Sequence, residues 1–280
     1  MTTEVRVRRP TIPELLWGQI KYQNKIFWRT PIAAFFTLVF PLMLLILFTA
    51  IFGNEEIEEL GVTTAQFFTP GLAVFAAVSA TYTNLAIGTS ISRDQGILKR
   101  IRGTPVPPWV YIAGRVGSAI YMAFLSIVLM MGVGMIFYGV ELIPRTVLSA
   151  LFTFFVGTGC FAALGMFVAA IAPNGDTTPA ITNGTLLPVA FISDIFFPPV
   201  DPPTWMVVAG NVFPLKHFAV AFRDAFDPTL TGAQFHWPEL GILSIWGVAA
   251  AVIALRFFKW EPKAGESGRG ASVRRDEGRG

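Results

Sequence analysis

The stretch SRDQGILKRIRGTPVPPW, residues 92–109, decides how the rest of the chain is read. It is polar and rich in cations, and a long apolar run borders it on each side. Ile97, Leu98 and Ile101 share one side at helical spacing while Lys99, Arg100 and Arg102 spread over the rest, so a short helix is predicted over residues 92–102. Gly103 and Pro105 are its stop signals. A basic loop that only fixes topology is one reading of this stretch. A surface on which something docks is the other, and the regular spacing favours it.

Outward from this loop the chain is apolar. Of its 280 residues 53% are hydrophobic and 14% are charged, where an average soluble domain carries roughly 25% charged residues. Long apolar runs recur along most of the length, which predicts an all-α polytopic membrane protein, a helical bundle in lipid with no sizeable soluble domain. The lone cysteine, Cys160, lies inside an apolar run and excludes both an intrachain disulfide and a cysteine metal site. The first apolar run begins near Pro31, is too long for a signal-peptide core and reads as an uncleaved anchor.

Residues 1–30 form the predicted N-terminal cytoplasmic segment. Thr11 with Glu14 three residues on is a capping box, so a helix should start there. At 100° per residue Glu14, Lys21, Lys25 and Arg29 make one polar stripe. Ile12, Leu15, Leu16, Ile20, Ile26 and Phe27 gather opposite, with Gln19 and Gln23 among them. This predicts an amphipathic helix on the inner leaflet, its cations toward lipid headgroups and Trp17 or Trp28 at the boundary.

Six spans follow, at about residues 31–52, 67–91, 110–138, 146–172, 179–197 and 240–258. The first holds 22 residues, or ~33 Å of helix, enough for a ~30 Å hydrocarbon layer. Residues 53–66 carry Glu55, Glu56, Glu58 and Glu59 and no lysine or arginine, which suits the outer side. Residues 205–222 are too broken for a span: Asn211, Pro214, Lys216 and His217 sit near their middle, and a central lysine alone costs roughly 2.5–3.5 kcal/mol on insertion. They are read as two short helices dipping into the outer leaflet and packed on protein. Residues 259–280 are a Gly- and Arg-rich tail, read as disordered and cytoplasmic. With this layout eighteen of the 21 lysines and arginines lie inside, leaving Arg145, Lys216 and Arg223 outside, so both termini are predicted to be cytoplasmic.

No GxxxxGK[ST] phosphate loop, HExxH, CxxC or GxSxG occurs. No catalytic, cofactor or metal site is therefore predicted, and His217 and His236 read as surface or interface residues. Asp194 is the one acid near membrane depth, a functional candidate by that placement, with contact to headgroups or water as the alternative. Gly157, Gly159, Ala162, Ala163 and Gly165 in the fourth span, like Gly114, Gly117, Gly132 and Gly134 in the third, allow close helix approach. Thr81, Tyr82, Asn84 and Thr89 give the second span a polar side that could line a pathway or bond across a dimer; bonding to the local backbone is the competing reading.

Two stretches carry a family resemblance. Arg93, Gly96, Leu98, Arg100, Thr104 and Pro105 are similar to the R-x-x-G-x-L-x-x-L-x-x-T-P segment that follows the second span of the ABC-2 type permeases, the membrane subunits of ATP-binding-cassette exporters. Residues 195–205, IFFPPVDPPTW, followed by Asn211-x-x-Pro214-Leu215 and Arg223, are similar to that family's outer segment, above all in the daunorubicin-resistance-like drug exporters. The sequence departs from the pattern at Ile97, where threonine is common, at Ile101 in the second leucine position, and at Asp194, where glycine is common.

The resemblance implies six spans, an N-terminal connecting helix bearing Leu16, Ile20, Lys21 and Lys25, and outer re-entrant helices around Asp194, Pro198, Pro199, Pro203, Trp205 and Pro214. It also implies a second permease subunit, identical or paralogous, and two copies of a separate ATPase that binds ATP and Mg, none of which this chain would bind. Arg93, Asp94, Gly96, Ile97, Leu98, Arg100, Ile101, Thr104 and Pro105 would then couple to the ATPase, with Ile97, Leu98 and Ile101 seated in a groove of it. The expected function is export of hydrophobic drug-like or lipid substrates across the plasma membrane, without enzymatic activity of its own and with no nucleic-acid partner. Polysaccharide or glycolipid export is the alternative within the class. An ion-coupled transporter would need titratable groups at the midplane and commonly shows internal repeats, and Asp194 is the sole candidate. An intramembrane enzyme would need an acid–base or nucleophile set that the chain lacks.

Overall fold

The computed structural model describes residues 11–104, 106–198, 202–258 and 260. Pro105, Pro199, residues 1–10 and the predicted tail from 261 on lie outside the described residues. Helix α1 (Ile12–Trp28) starts where the capping box places it: the backbone N–H of Thr11 donates to Glu14 Oε2 at 2.9 Å. Arg29 and Thr30 separate it from α2 (Pro31–Phe52). Within α2 the turn Phe35–Val39 is a π-helix. Pro41 explains its position, since a proline lacks the N–H and crowds the carbonyl four residues back, and a wider turn relieves both.

A short antiparallel ribbon, β1 (Glu56–Ile57) with β2 (Val62–Thr63), caps the end of the bundle where α2 finishes, pairing Glu56 with Thr63 and Ile57 with Val62. We call this the far end. The central helix is α3 (Thr64–Asp94), buried over most of its length between α2, α5 and α6. Thr63 caps it by accepting from the N–H of Gln66 at 3.2 Å. It too contains a π turn, Ser79–Asn84.

The predicted helix over 92–102 is two helices. Helix α3 runs on to Asp94, Gly96 adopts φ +69°, and α4 (Ile97–Arg102) begins after it. A left-handed residue closes a helix cheaply only as glycine, so Gly96 is a stop that the periodicity of Ile97, Leu98 and Ile101 conceals. Helix α5 (Pro108–Tyr138) returns to the far end, and α6 (Pro144–Ile171), whose first turn is 3-10, comes back to the basic end, where α1 and α4 lie.

The predicted fifth span, 179–197, is shorter as a helix. Helix α7 (Thr178–Phe191) has 14 residues, or ~21 Å, less than a ~30 Å hydrocarbon layer. Pro188 lies within it, and Asp194 at φ +55° turns the chain just beyond its end. The chain nonetheless travels the bundle: Gly175 lies beside Ile91 at the basic end, while Pro198 lines a far-end cavity with Phe52 and Glu55. Helices α8 (Thr204–Val212) and α9 (Pro214–Asp224) meet at a 94° bend. Their elbow sits at mid-bundle depth, where the carbonyl of Val212 accepts from Trp246 Nε1 at 3.1 Å. Helix α9 then climbs back to the far end, which is the re-entrant form the broken composition suggests. Last comes α10 (Trp237–Phe257), packed along α6. Among the described residues five helices are long and apolar enough to cross a membrane, or six if the bent pair is counted as one.

Candidate functional site

At the basic end the loop residues divide into an inward set and an outward set. Arg93 is 1% exposed. Its NH1 donates to the carbonyl of Ala169 at 2.7 Å and its NH2 to those of Ala172 at 3.1 Å and Pro173 at 3.4 Å. Ala169 is in the last turn of α6 and Ala172 and Pro173 lie just beyond it, and a cation suits that negative helix end. Asp94 Oδ1 accepts from Arg93 Nε at 3.2 Å, and its Oδ2 accepts from the backbone N–H of Gly175. Leu98 is fully buried, with α4 held between the end of α3 and the start of α5. This corrects the expectation that Ile97, Leu98 and Ile101 seat together in a partner: Leu98 is used inside the chain, and Ile97 and Ile101 are half-buried. The outward set is Lys99, Arg100, Arg102 and Thr104.

The amphipathic helix α1 lies against α5. Leu16 and Ile20 are half-buried, Gln23 is buried, and Lys21 and Lys25 are exposed, with Lys21 Nζ 5.3 Å from the centre of the Trp17 ring. The contact is close because Gly114 and Gly117 face Gln19 and Ile20 without room for a side chain, and Ser118 hydrogen-bonds Asn24. Another basic-end link went unnoticed in the sequence: Arg115 NH1 donates to Ser92 Oγ at 2.8 Å and to the Tyr111 hydroxyl at 2.7 Å.

Midway along the bundle the polar side of α3 splits. The hydroxyls of Thr81 and Thr89 are buried and donate to the carbonyls four residues back, Ala77 at 2.8 Å and Leu85 at 2.6 Å. They line no open surface. Tyr82 and Asn84 instead reach other helices: the Tyr82 hydroxyl lies 2.7 Å from Thr185 Oγ1 on α7, and Asn84 donates to Thr37 in the π turn of α2. Between them the hydroxyl of Thr83 is buried with no hydrogen-bond partner among the described residues. The two π turns thus face each other across a polar seam joining α2, α3 and α7. Gly165 of α6 backs it, where a β-carbon would lie 2.8 Å from the carbonyl oxygens of Thr81 and Tyr82.

At the far end Asp194 is paired. Its carboxylate lies 3.2 Å from Lys216 Nζ, and its carbonyl accepts from Arg223 NH1 at 2.8 Å. Asp194 is 5% exposed, so the acid and the lysine that seemed unrelated in sequence compensate each other in the fold. Pro214 is buried at the head of α9, Pro198 is half-buried, and Pro203 and Trp205 are exposed. Gln66 is a residue the sequence did not flag. Its amide accepts from the N–H of Glu141 at 2.7 Å and donates to the carbonyl of Phe226, tying the start of α3 to the α5–α6 turn and the end of α9. Its only visible signal was a polar side chain at the head of an apolar run. No group of three or more His, Cys, Asp or Glu that could hold a metal occurs among the described residues.

Comparison with known proteins agrees with this architecture. The chain is 28% identical over 209 residues to the daunorubicin resistance ABC transporter permease protein DrrB1 of Streptomyces coeruleorubidus, covering 71% of this chain and 70% of that one. It is 25% identical over 198 residues to the inner membrane transport permease YadH of Escherichia coli K12, covering 68% of this chain and 75% of the relative. The family model of the ABC-2 type transporters matches residues 14–226, from the first turn of α1 to just past α9. With the helical bundle, the α1 contact and the buried Arg93 in place across that range, the chain belongs to the ABC-2 type transporter family, as the transmembrane subunit of an ABC transporter and not its ATPase.

Proposed function

We propose that this chain is the passive, substrate-conducting half of an ATP-driven exporter of hydrophobic drug-like or lipid molecules in the plasma membrane. It works with two copies of an ATPase subunit that bind ATP and Mg, and with a second permease subunit. Both termini and α4 face the cytoplasm. The positive-inside count supports that orientation, and the name of the DrrB1 relative supports the substrate class.

The observation that carries the reading is the division of the basic loop. Arg93 and Leu98 are spent on the chain's own core, while Lys99, Arg100 and Arg102 stand outward on a short helix fixed from within, and Thr104 is exposed just beyond it. A cationic protrusion braced in this way can receive a push without collapsing. Tyr82, Thr83 and Asn84, at the seam between α2 and α7, are our choice for the polar part of the pathway or of the contact with the second permease.

The test is co-expression with the cognate ATPase and reconstitution into vesicles. Expected are a stable complex, and ATP-dependent movement of an anthracycline or a fluorescent lipid, with no hydrolysis by the isolated chain. Robust hydrolysis by this chain alone, or gradient-driven transport without any ATPase, would overturn the reading.

A further inference from the structure

The route from the docking helix into the membrane can be taken further, resting on the reading that an ATPase bears on α4. We propose that Arg93, in the last turn of α3, is a positioning residue that fastens α6 to α3, so that the docked subunit drives the two spans as one. Helix α4 joins α3 only through Gln95 and Gly96, the second of which is at φ +69°. A push on α4 therefore reaches Arg93 and Asp94, in the last turn of α3, across a joint of two residues.

From Arg93 and Asp94 the link onward to α6 is a firm one. The planar guanidinium of Arg93 holds the carbonyls of Ala169, Ala172 and Pro173, and Asp94 holds the N–H of Gly175, so one residue pair grips both the last turn of α6 and the chain just beyond it. Arg93 is fully buried. Were the end of α3 to shift while α6 stayed behind, the buried cation would lose its three carbonyl acceptors with no water to replace them. The two therefore move together.

Helix α6 then touches the parts that would have to open. Gly165 abuts the carbonyls of the α3 π turn, Gly157 abuts the ring of Phe218 on α9, and Thr146 Oγ1 donates to the carbonyl of Ala225 at the end of α9. A displacement of a packed helix at its Arg93 end is thus delivered to the polar seam and to the re-entrant element.

The experiment uses the full chain with its ATPase partner in liposomes, in a Cys160→Ala background. Spin labels are placed at Phe137→Cys and Leu148→Cys, exposed positions near the far ends of α5 and α6. Pulsed EPR is expected to show the inter-label distance shifting when nucleotide is trapped. Arg93→Lys keeps the charge but loses the fork; it is expected to abolish most of that shift and to lower substrate moved per ATP hydrolysed by about tenfold. Arg93→Gln should do the same, and if it fails to assemble with the ATPase, Arg93→Lys decides. Retention of both the shift and the transport ratio in Arg93→Lys would overturn the proposal. Absence of any shift in the Arg93 parent, with transport intact, would overturn it while leaving the exporter reading in place. Absence of ATP-dependent transport in that parent would overturn the exporter reading, and the proposal with it.

Discussion

At the basic end one charged side chain gathers three carbonyls from the end of a single helix and the residues after it, and it does so out of reach of water. At the far end the work is shared. The neutral amide of Gln66 bonds Glu141 and Phe226, Arg223 donates to the carbonyl of Asp194, and Lys216 pairs with the carboxylate of that residue. The first arrangement is one stiff joint between two elements, and the second is several moderate ties among four. A joint of the first kind moves its partner as a body, whereas ties of the second kind can be exchanged one at a time. That is the contrast expected between an input that must not slip and an exit that must open.

The contrast would break if the two ends responded alike to mutation. The largest effect is expected at Arg93→Ala, which leaves the α6 carbonyls and the carboxylate of Asp94 without their cation. Removing one member of a buried charged cluster costs ~3–5 kcal/mol, read as a sharp fall in the thermal unfolding temperature of the detergent-purified chain. Next comes Gly157→Ala, where a β-carbon would meet the Phe218 ring at 2.5 Å. Overpacking of this kind costs roughly 1–3 kcal/mol, and adding Phe218→Leu should restore part of it, a double-mutant comparison that measures how firmly α6 bears on α9.

Gln66→Leu should cost less, about 1 kcal/mol, because the hydrogen bonds it loses join neutral groups and strand no buried charge. Thermal unfolding again reads it, and a loss equal to that of Arg93→Ala would erase the distinction between the ends. Smallest is the pair Lys21→Gln, Lys25→Gln, exposed on α1, expected within about 0.5 kcal/mol of the parent in detergent. A larger loss would mean that these cations contribute to the fold itself.

What could be read from the sequence depended on how local its cause was. The start of α1 was legible because Thr11 and Glu14 satisfy each other within one turn. The extent of α2 was legible because apolar composition and its bounding breakers, Pro31 and Gly53, coincide. The break at Gly96 was hidden because the apolar spacing beyond it continues the helical pattern, and only the sign of a backbone angle separates the two cases. The shortness of α7 was hidden because Ile195, Phe196 and Phe197 extend its apolar character past the last helical turn. Apolarity reports burial there, not conformation.

The candidate site was less legible for a similar reason. Arg93 and Leu98 were recognisable as members of a motif, but whether they face a partner or the chain's own core is set by α5 and α6, residues far along the sequence. The pairing of Asp194 with Lys216 depends on the elbow between α8 and α9 bringing them together. Gln66 meets partners 75 and 160 residues away. No window of the sequence contains those contacts.

The π turn of α3 also has a bearing on how side chains are addressed along one rod. A π turn amounts to one residue inserted into an α-helix. An inserted residue rotates everything beyond it by about 100° relative to everything before it, with almost no change in length. The two halves of α3 therefore run out of phase. Within and beyond that turn Thr81 and Thr89 bond their own backbone, while Tyr82 and Asn84 reach α7 and α2. One span can in this way present each half of its length to a different set of neighbours.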